Sequence, residues 1–264
     1  MTLSNEQLAA YERDGVIVLP DLFGAGEIDA MIAEVEALAA RDLPGHVREA
    51  GGGALRALHG CHRDSALFDR LVRQPRLVGI ARQLLGPQVY LHQFKINMKA
   101  AFSGETWQWH QDYIFWLKED GMPEPLPINL AILLDDVTEV NGPLCFIPGT
   151  HRIGTIDVRP PARGEDWQAN FSASLPYATP EELIADVARD AGIVVPKGKR
   201  GSVLLFHSNI LHGSSSNMSP FPRRLAILTY NDVANAPRGK SNPRPEFLVT
   251  RDCSAIAPLE KDGI

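Results

Sequence analysis

Cysteine is scarce in this chain, and the three present, Cys61, Cys145 and Cys253, are odd in number, far apart and outside any Cys-x-x-Cys spacing. That argues against a disulfide framework and fits free thiols in a reducing compartment. A basic excess is also missing. The formal net charge is −6, with Lys and Arg scattered instead of striped, so no field is available for a phosphate backbone and nucleic acid is not an expected partner. No apolar run reaches bilayer-spanning length, and the N-terminus carries Ser4, Asn5 and Glu6 where an export signal would be basic and then apolar. The expectation is a soluble, cytoplasmic protein. Internal repeats and low-complexity tracts are absent as well. What remains is an ordinary globular composition, 44% hydrophobic and 22% charged over 264 residues, enough for a substantial core in a single domain, 1–264.

The first part of that domain, 1–87, reads as mostly helical. Ser4 with Gln7 forms a capping box for a short helix that Gly15 can close, ahead of a strand-like Val16-Ile17-Val18-Leu19. Ile28, Met31, Ile32, Val35 and Leu38 recur at helical spacing, which predicts a second helix from about Glu27 to Arg41, and a third runs from Pro75 to Gly86. Between them, residues 42–64 centre on Gly51-Gly52-Gly53 and read as irregular, the best candidate for a mobile loop or lid. From Gln88 the period changes to two. Strands are expected at Val89–Lys99, Trp107–Tyr113, Ile128–Leu134, Ser202–Phe206 and Leu225–Tyr230, a pattern that suggests an antiparallel jelly roll of the cupin kind over 88–250. Residues 152–200 form an insertion, in which Thr179-Pro180-Glu181-Glu182 starts a helix reaching about Asp190.

Chemistry concentrates in His110, Asp112, His212 and Arg223. Two imidazoles and a carboxylate form the facial triad of non-haem Fe(II) oxygenases, leaving three coordination positions open for a chelating cosubstrate and dioxygen. His-x-Asp alone is weak evidence, since about half a match arises by chance with eight histidines. His62-Arg63-Asp64 is a second match, but it lies beside the glycine-rich stretch with no strand to aim both side chains together. On a strand over Trp107–Tyr113, His110 and Asp112 point to one side with Gln108, while Trp107, Trp109 and Gln111 face away. For the second imidazole, geometry favours His212 over His207, which reads as a turn residue at a strand end. Arg223 follows the turn Ser219-Pro220-Phe221-Pro222, which returns the next strand alongside, and its planar fork suits the distal carboxylate of 2-oxoglutarate. Arg224 reads as a surface ion pair, His151 as a turn residue and His92 as core.

Trp109-His110-Gln111-Asp112, Asn141-Gly142-Pro143-Leu144, Ile147-Pro148-Gly149-Thr150-His151, and His212-Gly213-Ser214 through Pro222-Arg223 resemble the phytanoyl-CoA dioxygenase superfamily of Fe(II)/2-oxoglutarate oxygenases. Within it the likeness is nearest to ectoine hydroxylases, which share Val89-Tyr90-x-His92-Gln93, Trp116, Glu119-Asp120-Gly121-Met122-Pro123 and Ser208-Asn209. The resemblance, over about residues 88 to 235, implies His110, Asp112 and His212 as iron ligands. It implies Arg223 as the 2-oxoglutarate anchor, with Gln93, Asn129 and Ser214 as further cosubstrate contacts. Lys95, Asn97, Trp116, Phe206, Leu225 and Ile227 are the implied substrate contacts. Where ectoine hydroxylases carry an aromatic, Glu and Thr after the carboxylate ligand, this chain has Tyr113, Ile114 and Phe115. Two and four residues past the arginine they have Asn and an aromatic, whereas Leu225 and Ile227 are aliphatic. A small zwitterionic ring loses hydrogen bonds by that exchange, at about 1 kcal/mol each, which argues against ectoine as substrate.

The expected activity is therefore Fe(II)-, 2-oxoglutarate- and O2-dependent hydroxylation of a C–H bond in a free, small, amino-acid-derived or natural-product metabolite, with succinate and CO2 as coproducts. Desaturation or ring closure by the same oxidising chemistry is the alternative. A halogenase is disfavoured because Asp112 occupies the position that chloride needs. A cupin-like binding protein with a structural metal is the rival from another class, and it has no need of Arg223. Sequence leaves a monomer and a homodimer equally open.

Overall fold

A computed structural model describes residues 1–49, 53–158, 167, 171, 174–239 and 243–263. Its frame is a seven-stranded antiparallel sheet, built from β1 (Val16–Leu19), β2 (His46–Arg48), β3 (Leu55–His59), β4 (Val89–Lys99), β6 (Ile128–Leu133), β8 (Val203–His207) and β10 (Arg223–Asp232). The strand order is β1-β8-β6-β10-β4-β3-β2. A three-stranded sheet of β5 (Trp107–His110), β9 (His212–Ser214) and β7 (Leu144–Phe146) faces it, completing the jelly roll.

Side-chain alternation explains the layering. On β4, Phe94 and Ile96 point outward, as do Leu130 and Ile132 of β6 and Ala226 and Leu228 of β10. They meet the apolar stripes of α2 (Ala25–Ala39), α4 (Ala66–Val72) and α5 (Pro75–Leu85), which bury Ile28, Met31, Val35, Phe68, Leu71, Leu77 and Ile80. The intervening residues face the interior of the roll. There Ala131, Leu133, Leu204, Phe206, Leu225 and Ile227 pack against Leu144 and Phe146 of the small sheet.

Helix α1 (Asn5–Asp14) has the reciprocal Ser4–Gln7 capping box and ends at Gly15 in a left-handed conformation. In the insertion, α7 (Glu181–Ala191) forms close to the expected bounds, but Pro180 instead of Thr179 is its N-cap and no side chain caps it. The stretch 42–64 corrects the sequence reading, since it holds β2, β3 and a short helix α3 (Cys61–Asp64). Because β3 pairs with β4, this part of the N-terminal region extends the large sheet. The central positions of the expected glycine lid, 50–52, lie outside the described residues.

Candidate active site

The cross-strand register of the small sheet builds the site. His110 on β5 and His212 on β9 are direct partners, with ring centroids 4.3 Å apart. Each ring is locked through Nδ1, His110 against the Gln108 carbonyl at 2.6 Å and His212 against the Ile210 carbonyl at 3.0 Å. A carbonyl can only accept, so both Nδ1 atoms carry the hydrogen and both Nε2 lone pairs are free. Those lone pairs converge on Asp112, whose Oδ1 lies 3.7 Å from His110 Nε2 and whose Oδ2 lies 3.8 Å from His212 Nε2. Among the described residues this is the one group of three such side chains whose ligand atoms all fall within 4.8 Å of one another. Two neutral nitrogen donors and one carboxylate suit a divalent first-row metal and leave an open face.

Protonation states fit that use. Burial, with His110 nearby, pushes His212 down to about 3, keeping it a neutral donor. Burial alone would raise the Asp112 carboxyl, but Lys95, His110 and His212 outweigh it and hold it ionised well below the usual carboxylate range. Lys95 Nζ stands 3.6 Å from Asp112 Oδ1. Asn129 Nδ2 donates to Asp112 Oδ2 at 2.9 Å, and Asn129 is itself oriented by Thr229 Oγ1 at 2.7 Å.

Asp112 does not reach this position as the expected strand residue. Strand β5 ends at His110, Gln111 is extended, and Asp112 opens the four-residue helix α6 (Asp112–Phe115). A register shift between Trp107 and His110 also breaks the alternation, so Trp107 turns into the cavity on the same side as His110. Gln111 is buried and braces the site from behind, donating to the Gly154 and Asn209 carbonyls and accepting from Ile156 N–H.

The cavity in front of the triad opens to solvent, and together with the space continuous with it amounts to about 670 Å³. Arg223, 1% exposed, lies at one end. Its Nε and Nη2 both donate to the Gly142 carbonyl, at 3.0 and 2.7 Å, which fixes the guanidinium plane and leaves Nη1 for a ligand. Burial lowers its pKa to about 9, so it stays charged at neutral pH. Two buried atoms have no hydrogen-bond partner, Asn97 Oδ1, which lines the cavity with Arg223, and Ser214 Oγ, whose residue follows the lining Gly213 but is not itself part of the cavity wall. Buried polar atoms of this kind are normally satisfied by a bound molecule or water; the Ser214 hydroxyl can donate to a carboxylate as Arg223 does, whereas Asn97 Oδ1 can only accept.

Gln93, Lys95, Asn97, Trp116, Phe206 and Ile227 line the cavity as expected. Leu225 does not; it packs between the sheets with Ala131 and Leu144. Asn129 stands behind Asp112 instead of facing the cavity. His207 accepts from Asn209 N–H and stacks towards His151 and Tyr11, away from the triad, and the His62–Asp64 pair lies on α3, outside the cavity.

Arg244 was not anticipated. It lines the far end of the cavity and pairs bidentately with Asp120, Nε at 2.8 Å and Nη2 at 2.6 Å. Asp120 closes a five-residue π-helical turn that also carries Trp116 into the cavity. The one sequence signal for Arg244 is its place between Pro243 and Pro245, where the backbone is stiff on both sides.

This geometry can be set beside known proteins. The profile of the phytanoyl-CoA dioxygenase (PhyH) family matches residues 11–225. The chain belongs to that family. L-proline trans-4-hydroxylase of Streptomyces griseoviridis is 43% identical over 258 residues, covering 96% of this chain and 95% of that one. The crystal structure of EctD from S. alaskensis with 2-oxoglutarate and 5-hydroxyectoine superposes with a TM-score of 0.81 at 38% identity, covering 94% of this chain and 84% of that chain. EctD with bound Fe gives 0.81 at 37% identity, with coverages of 97% and 87%. This member of the family is a non-haem Fe(II)/2-oxoglutarate-dependent hydroxylase that uses O2 and acts on a small molecule. No helix among the described residues is long and apolar enough to cross a membrane.

Proposed function

We propose that the protein hydroxylates a free cyclic amino acid, with L-proline as the first candidate, and that His110, Asp112 and His212 hold the iron while Arg223 anchors 2-oxoglutarate. The observation that carries the site assignment is the convergence of two Nε2 lone pairs on an ionised carboxylate, facing a buried guanidinium with one free edge. Fe(II) bound there supplies the centre that activates dioxygen at the expense of 2-oxoglutarate, which leaves as succinate and CO2.

The chain's own side chains divide the rest of the work. Asn129 and Lys95 keep Asp112 ionised and oriented. The Ser214 hydroxyl can donate to the cosubstrate, as Arg223 does. Arg244, braced by Asp120, presents a guanidinium to the substrate carboxylate. Gln93 donates through Nε2 to the Leu248 carbonyl, which leaves its Oε1 to accept from a substrate N–H. Trp116, Phe115, Leu175 and Ile227 supply apolar walls that exclude water from the C–H to be oxidised. With Lys95 turned to Asp112 and Arg223 to the cosubstrate, Arg244, one amide acceptor and apolar walls remain for the substrate, which supports a compact imino acid, and the 43% identity to a proline hydroxylase points the same way.

The test is aerobic incubation with Fe(II), 2-oxoglutarate and L-proline, read by mass spectrometry for a 16 Da gain matched by succinate. Ectoine is the comparator. Turnover of ectoine well above that of L-proline overturns the substrate assignment while leaving the metal and cosubstrate assignments intact. An anaerobic titration without a visible charge-transfer band on adding Fe(II) and 2-oxoglutarate overturns those.

A further inference from the structure

Lys99 lies at the end of β4, directly opposite Arg223 on β10, and is 1% exposed. Its Nζ donates to two neutral oxygens, the Ser215 carbonyl at 2.6 Å and the Glu105 carbonyl. No carboxylate among the described residues pairs with it. The two nearest acids, Glu49 and Glu105, are turned to Arg56, at 2.9 and 3.9 Å. The lysine stem is equally constrained. A Cβ at Gly142 would lie 2.4 Å from Lys99 Cδ, and a Cβ at Gly104 would lie 2.6 Å from Lys99 Cβ. The stem thus runs in a groove between two glycines, and one of them, Gly142, is the residue whose carbonyl fixes Arg223.

A buried ammonium next to a guanidinium, held by carbonyls alone, is costly unless an anion completes the arrangement. We propose that Lys99 is a positioning residue of the cosubstrate pocket, which seats the Gly142 carbonyl that orients Arg223 and adds a second positive charge when the distal carboxylate of 2-oxoglutarate arrives. The inference rests on the assignment of Arg223 as the cosubstrate anchor.

The groups facing Lys99 determine when it carries its proton. Burial lowers it to about 6, Arg223 and Arg56 push in the same direction, and Glu49 and Cys145 oppose them. Glu105 is the remaining acid nearby. In the ligand-free protein above pH 6, Lys99 is therefore largely neutral. A bound dicarboxylate offsets the guanidinium field, raises the lysine's proton affinity and draws a proton from solvent. Cosubstrate affinity should consequently fall as pH rises above 6.

Calorimetry of the anaerobic Fe(II)-loaded enzyme near pH 7.5, in two buffers of different ionisation enthalpy, counts the protons taken up. The ligands are 2-oxoglutarate and 2-oxopentanoate, which keeps the chelating end and lacks the distal carboxylate. Wild type should take up a proton with 2-oxoglutarate and none with 2-oxopentanoate. Lys99→Met should abolish the uptake and weaken 2-oxoglutarate by about tenfold while changing 2-oxopentanoate little. Lys99→Gln keeps N–H donors without the charge and should behave alike; it decides the matter if Lys99→Met does not fold. Equal weakening of both keto acids together with a lowered melting temperature marks a merely structural lysine and overturns the proposal. So does wild-type binding without proton uptake. Arg223→Lys separates the two assignments. If it leaves the preference for 2-oxoglutarate over 2-oxopentanoate intact, the anchor is wrong and Lys99 falls with it. If it erases the preference and Lys99→Met does not, only the lysine's role is lost.

Discussion

Asn129 offers the sharpest test of how the metal site is built. It is fully buried, and its Nδ2 donates to Asp112 Oδ2 at 2.9 Å while Thr229 Oγ1 donates to its Oδ1 at 2.7 Å. In Asn129→Ala the carboxylate loses a charge-assisted hydrogen bond, and hydrogen bonds to charged groups contribute about 1.5–3 kcal/mol. That energy translates to about 10–100-fold in Fe(II) affinity, the range typical of groups that orient a metal ligand. Thr229→Val keeps the amide but frees it to rotate, so its effect should be smaller, a few-fold. Competition against a colorimetric chelator under anaerobic conditions measures both, and melting curves of the metal-free proteins measure the packing loss separately. If Asn129→Ala binds Fe(II) within about twofold of wild type while its metal-free form melts lower, the hydrogen bond serves packing alone and the reasoning fails.

Three further outcomes are expected. Gly142→Ala meets a φ of +76° and places a methyl 2.4 Å from Lys99 Cδ and 2.9 Å from the Ser215 carbonyl, so it should cost about 1–3 kcal/mol in denaturant unfolding and weaken 2-oxoglutarate binding. Asp120→Asn removes the charge that braces Arg244; steady-state kinetics should show KM for the oxidised substrate rising by about tenfold with KM for 2-oxoglutarate unchanged. Burial, with Arg244 and Lys95 nearby, lowers His92 to about 3, against about 6.5 in the unfolded chain, so protonation favours unfolding. Its contribution is complete above pH 6.5 and declines as pH falls, by about 2 kcal/mol between pH 6.5 and 5. Unfolding measured at those two values should show a loss larger than this, because His212, at about 3, adds to it along with His62 and His207, and His92→Phe should reduce it by about 2 kcal/mol. Burial shifts His62 and His207 in the same direction, each to about 4.

Much of this was legible in the chain because two kinds of local signal are strong. Strands β4 and β10 carry long alternation with both faces buried in different company, and the Ser4 box caps α1 as its spacing predicts, whereas α7 starts at the expected place with Pro180 at its N-cap and no side chain capping it. The convergence of His110, Asp112 and His212 followed from residue type, and the direction of other side chains did not follow as easily. Trp107 was aimed away from the site because strict alternation assumes an unbroken ladder, and the register shift before His110 is not encoded by any single residue type. Strands β2 and β3 were missed since a short, glycine-flanked hairpin offers little periodicity, and its place is set by pairing with β4. Leu225 was assigned to the pocket by the likeness to ectoine hydroxylases, which carry Asn at that position, whereas here the opposite sheet covers it with Leu144. Arg244 is 21 positions beyond Arg223, and only the fold brings it back to the cavity.

The pairing of His110 with His212 has a mechanical side. The smaller sheet consists of strands of four, three and three residues, too short to hold together by backbone bonds alone, and its two imidazoles sit side by side across the β5–β9 ladder with their planes inclined by 48°. An ion gripped by both becomes a rivet joining neighbouring strands, and the helix that follows β5 is pinned by the same fastening through Asp112. Loading the enzyme with iron thus finishes the roll as well as arming it, and a chain stripped of metal should breathe first along that seam.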